Sequence, residues 1–105
     1  MITVNVYKDE NEKINGVFIS GHSNYDVNGK DIVCSAVSTA VQLTASIIEK
    51  VCPKYIFEAS EKDVTMKLQI IESTEFCDIV IETLVGVLQS ISESYAKYIK
   101  IKFIK

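Results

Sequence analysis

Residues 31–53 have the sequence DIVCSAVSTAVQLTASIIEKVCP, which predicts one long helix near the middle of the chain. Asp31 is a candidate N-cap, Pro53 follows the last apolar residue, and the apolar residues between them recur at helical spacing. The predicted helix is Ile32–Val51. Its core-facing stripe comprises Val33, Val37, Ala40, Val41, Thr44, Ile47, Ile48 and Val51.

The opposite face of this helix carries small polar residues where a solvent-facing helix usually has Lys and Glu. They are Ser35, Ser38, Thr39, Gln42 and Ser46. This composition favours a face that is partly covered. Packing against a second subunit is one explanation.

Alternating apolar and polar residues predict strands on both sides of the helix. Residues 2–7 and 14–20 form one predicted hairpin, and residues 55–60 and 64–70 form another with a turn at 61–63. A second amphipathic helix and a last strand at 99–103 follow. The expected core stripe of the second helix comprises Phe76, Ile79, Val80, Thr83, Leu84, Val87, Leu88, Ile91 and Tyr95.

The predicted element order is therefore ββαββαβ. Each strand has one apolar face, which suits a mostly antiparallel sheet with both helices packed on one side. The fold class expected is an α+β two-layer sandwich. Residues 1–105 contain no linker or low-complexity tract, so we expect a single domain.

Composition excludes several classes of protein. The chain is 48% hydrophobic and 24% charged, which is typical of a globular domain rather than a disordered segment. Its net charge is −3 and its eleven basic residues are all Lys, so we expect no direct binding of nucleic acid. We expect no membrane span either, because no apolar run approaches about 20 residues. The alternating N-terminus does not resemble a signal peptide, which predicts a cytoplasmic protein.

The three cysteines, Cys34, Cys52 and Cys77, are odd in number and widely spaced. They match neither a disulfide framework nor a CxxC metal or redox motif, so we expect reduced thiols. Cys52 and Cys77 are interpreted as buried small residues. We expect no metal site and no cofactor.

Cys34 would lie in the first turn of the predicted helix, where unpaired amides and the helix dipole favour a thiolate. His22, the only histidine, lies twelve residues earlier and is able to serve as its base. The alternatives are a core cysteine and an exposed turn histidine. Asp31 either caps the helix or orients the imidazole, and capping is favoured.

The segment between the second strand and the helix, residues 21–29, is polar and begins and ends with glycine. Gly21 and Gly29 are candidate hinges, because glycine has wide backbone freedom. We expect this loop to be mobile without substrate and to bring His22 to Cys34 when substrate binds.

The run SGHSNYDVNGKDIVCSAVS, residues 20–38, resembles the ribosomal-processing cysteine protease family, Prp. The paired features are Gly-His before the loop and Gly-x-Asp-Ile-Val-Cys followed by Ala-Val-Ser. The resemblance extends over essentially the whole chain in length and element order. It implies that Cys34 is the nucleophile, that His22 is the general base, and that Asp31 and Ser38 support the site.

The resemblance also implies a small homodimer that removes a short N-terminal extension from a large-subunit ribosomal protein, with cleavage after an aromatic residue. Ser23 and Ser35 stand where family sequences commonly have Ala. These differences are small and lie outside the proposed pair, but each adds a hydroxyl that can change hydrogen bonding near the nucleophile.

Two other functions remain open from the sequence. One is a ribosome-associated binding module that uses the helix N-terminus as an anion site, although the absence of Arg disfavours it. The other is a redox sensor, which requires a resolving cysteine close to Cys34.

Overall fold

The computed structural model describes residues 1–23, 25–26 and 31–105. It contains five strands and two helices in the predicted order ββαββαβ. The elements are β1 (Ile2–Lys8), β2 (Ile14–Ser20), α1 (Ile32–Val51), β3 (Lys54–Ser60), β4 (Thr65–Glu72), α2 (Glu75–Ser94) and β5 (Ile99–Ile104). The bounds of α1 agree with the prediction.

The strands form one mixed sheet in the order β3-β4-β2-β1-β5. Three neighbouring pairs are antiparallel, and β1 pairs with β5 in parallel. The α+β fold class is therefore confirmed, with a mostly antiparallel sheet. The chain leaves the central strand β2 at Ser20 and enters a loop whose Ser23 contacts Asp31 and Cys34 at the start of α1.

Apolar residues of alternate strand positions pack with both helices in one core. Ile2, Val4 and Val6 of β1 are fully buried there, as are Val37 and Val41 of α1. This strand alternation is the pattern that predicted a one-sided sheet. Single-sided burial places both helices on the apolar face.

The predicted stripe of α2 was wrong in part. Phe76, Ile79 and Val87 were expected in the core, yet they are 67%, 54% and 45% exposed. The buried residues of α2 are Cys77, Ile81, Leu84, Val85 and Leu88. Apolar residues occur on more than one side of this helix, so periodicity alone did not identify the side that faces the sheet.

The expectation that all three cysteines are reduced was also wrong. Cys52, the C-cap of α1, and Cys77, in the first turn of α2, form a disulfide with their Cα atoms 5.7 Å apart. Both residues are buried, as predicted. Their sequence separation of 25 gave no sign of this contact, which arises because the end of α1 meets the start of α2.

Helix α1 is also longer and more apolar than the membrane argument allowed. An 18-residue window of this 20-residue helix has a mean hydropathy of 1.5, so by length and composition the helix meets the criterion for a membrane span. Core helices of globular domains meet the same criterion. The stripe that includes Val33, Val37, Val41 and Ile48 is buried against the rest of the domain, as in such a helix.

Candidate active site

The N-terminus of α1 is organised by Asp31. This residue is the N-cap, with extended backbone angles, and its Oδ1 accepts hydrogen bonds from the amides of Val33 and Cys34, both at 3.0 Å. These bonds satisfy two of the amides that a helix start leaves without partners. The favoured interpretation of Asp31 as a cap agrees with this geometry.

The second carboxylate oxygen of Asp31 binds the loop that follows β2. Oδ2 accepts a hydrogen bond from the Ser23 hydroxyl and another from the Tyr25 amide at 3.1 Å. Burial by itself raises the pKa of Asp31. Hydrogen bonds to the carboxylate outweigh burial and lower this pKa from 3.8 to about 2. The donors are the Ser23 hydroxyl and the amides of Cys34, Tyr25 and Asp26. Asp31 is therefore ionised at neutral pH.

Cys34 is the third residue of α1 and is half-buried. Its Sγ lies 3.4 Å from the amide nitrogen of Ser23, which donates to it, and 3.5 Å from the Ser23 hydroxyl oxygen. The sulfur therefore contacts the loop as well as the helix start. It lies at the positive end of the helix dipole, on the same first turn whose amides bind the ionised Asp31 carboxylate.

Gly21 determines how the chain enters this loop. Its φ is +90°, and a Cβ at this position would lie 2.5 Å from the carbonyl oxygen of Met1. Its amide also donates to the carbonyl of Val64 at 3.1 Å. Only glycine fits this conformation and this close approach. A side chain at position 21 would therefore disturb the entry to the segment that carries His22.

His22 is exposed and lines the same cavity as Cys34. Within the part of the chain that the structure describes, no hydrogen bond joins the imidazole to the sulfur. The structure therefore brings the two predicted catalytic residues to one cavity, without a hydrogen bond between them among the described residues. Catalytic hydrogen bonds are often long or absent in unliganded proteins.

The cavity has a volume of about 980 Å³ and lies between the start of α1, the loop after β2 and the β3–β4 turn. Ser38, one helical turn after Cys34, lines it and accepts a hydrogen bond from Gln42 Nε2 at 2.9 Å. Glu61 lines it from the β3–β4 turn. An open cavity of this size has room for several residues of an extended peptide.

The described part of the loop is also attached to the end of α2. The Tyr25 ring makes edge-to-face contacts with Tyr95 and Tyr98, at centroid distances of 5.6 and 5.1 Å. Such pairs add to the stabilisation from burial alone. Tyr25 therefore holds the loop against the segment that leads into β5.

The Ser23 hydroxyl was expected only to change hydrogen bonding near the nucleophile, from a position outside the catalytic pair. In the structure Ser23 contacts both Asp31 and Cys34, and these partners were not predicted. Its place directly after the histidine was the available signal. The second candidate hinge, Gly29, lies outside the described residues, and the expected loop mobility falls partly on that same segment.

Among the described residues, no group of three His, Cys, Asp or Glu side chains has the arrangement of a metal site.

Cys52 and Cys77, which form the disulfide, lie far from the candidate nucleophile. Cys34 and Cys52 lie at opposite ends of a 20-residue helix, a distance of roughly 27 Å at 1.5 Å per residue. A resolving cysteine for Cys34 is therefore not available from this pair.

Comparison with known proteins gives a consistent family and fold. The family model of the cysteine protease Prp matches residues 1–100. A crystal structure of the ribosomal processing protease Prp from S. aureus with a covalently linked product peptide superposes with a TM-score of 0.92 and 21% identity, covering 99% of this chain and 100% of that one. The same S. aureus protease with a substrate peptide gives a TM-score of 0.88 and 20% identity, with the same coverage.

A protein from Streptococcus mutans has a similar structure, with a TM-score of 0.84 and 22% identity. The alignment covers 99% of this chain and 94% of that one. No curated protein sequence matches the chain. At these identities the solved structures establish the fold, and the family model establishes the relationship.

Proposed function

The chain belongs to the Prp family of cysteine proteases, and we propose that it uses Cys34 and His22 to remove an N-terminal extension from a large-subunit ribosomal protein. The observation that carries this proposal is the arrangement at the start of α1. Cys34 presents its sulfur there, and His22 lines the same cavity. No other described cysteine is free.

In the proposed reaction His22 accepts the thiol proton as the Cys34 sulfur attacks the carbonyl carbon of the scissile peptide bond. The tetrahedral intermediate collapses as the imidazolium protonates the departing amine, which leaves a thioester on Cys34. His22 then removes a proton from water, which attacks the thioester. The released acid is the cleaved extension, and the thiol regains its proton.

The oxyanion of the tetrahedral intermediate needs donors other than the amides of Val33 and Cys34. Both amides already donate to Asp31 Oδ1, and the Ser35 amide donates to the Asp31 carbonyl at 3.1 Å. The amides of the first helical turn, including that of Cys34, would otherwise be candidate donors. The capping carboxylate makes this amide unavailable while the helix start keeps its present geometry.

The same capping argues against the rival function as an anion-binding module. A phosphate or carboxylate ligand would have to displace Asp31, whose own carboxylate occupies the first-turn amides. The displaced Asp31 carboxylate would stay close by, and its negative charge would repel an anionic ligand. The catalytic function therefore fits the helix start better than anion binding.

The substrate is proposed from the family and from the form of the cavity. The S. aureus relative is a ribosomal processing protease whose structures contain substrate and product peptides. An extended N-terminal segment of a precursor is a suitable ligand for an open cavity lined by helix and turn residues.

We also propose a homodimer. Residues 32–48 of α1 contain no charged side chain, although the outward half of the helix is exposed. Leu43 of α1 and Ile79 of α2 are exposed apolar residues on the outer surface of the helices. A second copy of this uncharged surface is a suitable partner, because a twofold interface pairs a patch with itself.

Sedimentation of the wild-type protein at micromolar concentration tests the dimer. We expect a dimer for the wild type and a monomer for Leu43→Glu, while Ile71→Glu on the exposed face of β4 leaves the dimer intact. A wild-type monomer would contradict this part of the proposal.

Incubation with a ribosomal-protein precursor that carries an N-terminal extension tests the reaction. Intact-mass measurement should show two products whose masses sum to that of the precursor plus one water. Prior alkylation of Cys34 should abolish the cleavage. If the precursor keeps its mass while Cys34 is fully reduced and unmodified, the proposed substrate is wrong.

A further inference from the structure

The hydroxyl of Ser23 lies between the carboxylate of Asp31 and the sulfur of Cys34. It donates to Asp31 Oδ2, and its oxygen is 3.5 Å from Cys34 Sγ and 3.3 Å from the Tyr25 amide nitrogen, which donates to it. Ser23 is only 2% exposed. Water therefore does not compete for these contacts, and the side chain is a buried connection between the helix cap and the nucleophile.

The direction of these hydrogen bonds follows from the charge on Asp31. Asp31 is ionised at neutral pH and accepts hydrogen bonds only. The single hydroxyl proton of Ser23 is donated to it, so only lone pairs of Ser23 Oγ face the sulfur. Cys34 can bond to this oxygen only as an S–H donor. A thiolate would meet lone pairs instead.

We propose that Ser23 is a positioning residue that holds Cys34 as a neutral thiol in the resting protein. The inference rests on the proposed function in that it takes Cys34 as the nucleophile. The hydroxyl oxygen accepts a hydrogen bond from the Cys34 thiol and keeps the sulfur against the loop until His22 takes the proton. Reaction then requires this hydrogen bond to break, and no proton passes through Ser23 itself.

The other titratable groups around the cavity do not replace this contact. Those among the described residues are His22 and Asp26 on the loop, Asp31 at the cap, and Glu61 on the β3–β4 turn. Within the described part of the chain, neither His22 nor Glu61 hydrogen-bonds to the sulfur, and Asp31 binds the Cys34 amide rather than the sulfur. The Ser23 amide, 3.4 Å from Sγ, does donate to the sulfur, and this donation is retained in any substitution of the side chain.

The alkylation rate of Cys34 against pH tests this role without substrate. In Ser23→Ala the thiol loses its acceptor while the amide donor stays, so we expect alkylation at pH 7 to be about three- to tenfold faster. The inflection should move to lower pH. Mass spectrometry of the labelled peptide confirms that Cys34 is the residue modified.

Ser35→Ala is the matched control. Ser35 directly follows Cys34, and its hydroxyl makes no hydrogen bond to Cys34 within the described part of the chain. The variant should retain the wild-type profile. Ser23→Thr keeps the hydroxyl and should also retain that profile. Thermal unfolding measured on each variant establishes that the protein compared is folded.

The inference would be overturned if the Cys34 alkylation profile of Ser23→Ala coincided with that of the wild type, or if its inflection moved to higher pH. A Ser23→Thr profile that follows the alanine variant would also overturn it, since the hydroxyl would then be irrelevant. These outcomes are independent of peptide cleavage. Failure of the proposed function would instead appear as a precursor that is not cleaved by a protein with the expected alkylation profile.

Discussion

Asp31 Oδ1 accepts a hydrogen bond from the Cys34 amide nitrogen, 3.0 Å away, so the residue that caps α1 also fixes the backbone of the candidate nucleophile. The same side chain holds the loop that carries His22, through the Ser23 hydroxyl and the Tyr25 amide. One buried carboxylate therefore connects the two segments that supply the proposed catalytic residues. Its ionisation should affect both stability and the geometry of the site.

Acid should destabilise the protein through Asp31. A carboxyl whose pKa is lower in the folded protein stabilises the fold above its unfolded value, here 3.8, and loses that contribution as pH falls towards about 2. The shift corresponds to about 2 kcal/mol. Urea unfolding of wild type and Asp31→Asn at pH 6 and pH 2 measures it, because the variant lacks this titration. Equal losses of unfolding free energy in the two proteins would contradict the role of Asp31.

Gly21 and Gly86 should respond in opposite ways to alanine. Gly21→Ala places a Cβ 2.5 Å from the Met1 carbonyl at a φ of +90°, so we expect a loss of about 2 kcal/mol in unfolding free energy. Gly86 is in α2 with no atom within 4 Å of an added Cβ, so Gly86→Ala should gain up to about 1 kcal/mol. Thermal unfolding of both variants provides the comparison. A neutral Gly21→Ala would show that the loop entry adapts to a side chain.

The disulfide should contribute to stability without affecting turnover. A bond that closes 25 residues is worth about 3 kcal/mol in the chain-entropy treatment, so Cys52→Ser and Cys77→Ser should each lower the unfolding free energy by about that amount. Both variants should cleave substrate at the wild-type rate, because the bond is at the far end of α1 from Cys34.

Counting thiols checks the disulfide directly. Alkylation in denaturant without reductant should add one group to the wild-type protein, and prior reduction should raise the number to three. Three groups without reductant would show that Cys52 and Cys77 are free.

The sequence predicted the elements well because strand alternation and the capped α1 helix are local signals. Asp31 and Pro53 bound α1 closely, and the alternation of β1 matches its buried residues. The core face of α2 was not predictable in the same way, since Phe76 and Ile79 are apolar but exposed. Which face is buried depends on how the helix packs on the sheet, which is not a local property.

The candidate site also combines residues that have local sequence signals with contacts that depend on tertiary packing. Residue types and spacing indicated Cys34, His22 and Asp31, and the family resemblance added Ser38. All four line one cavity. The contacts of Ser23 were not found, because they depend on the path of the loop back to the helix cap. The Cys52–Cys77 contact likewise depends on tertiary packing of two helix ends.

Cleavage of the ribosomal-protein precursor by folded Cys34→Ala and His22→Ala proteins tests the account most directly. Each substitution removes a reacting group, so turnover should fall to the background of an uncatalysed control while thermal unfolding remains close to that of the wild type. Cys52→Ser should retain turnover in the same assay. Full cleavage by pure, folded Cys34→Ala protein would contradict the assignment of Cys34 as the nucleophile and the catalytic account built on it.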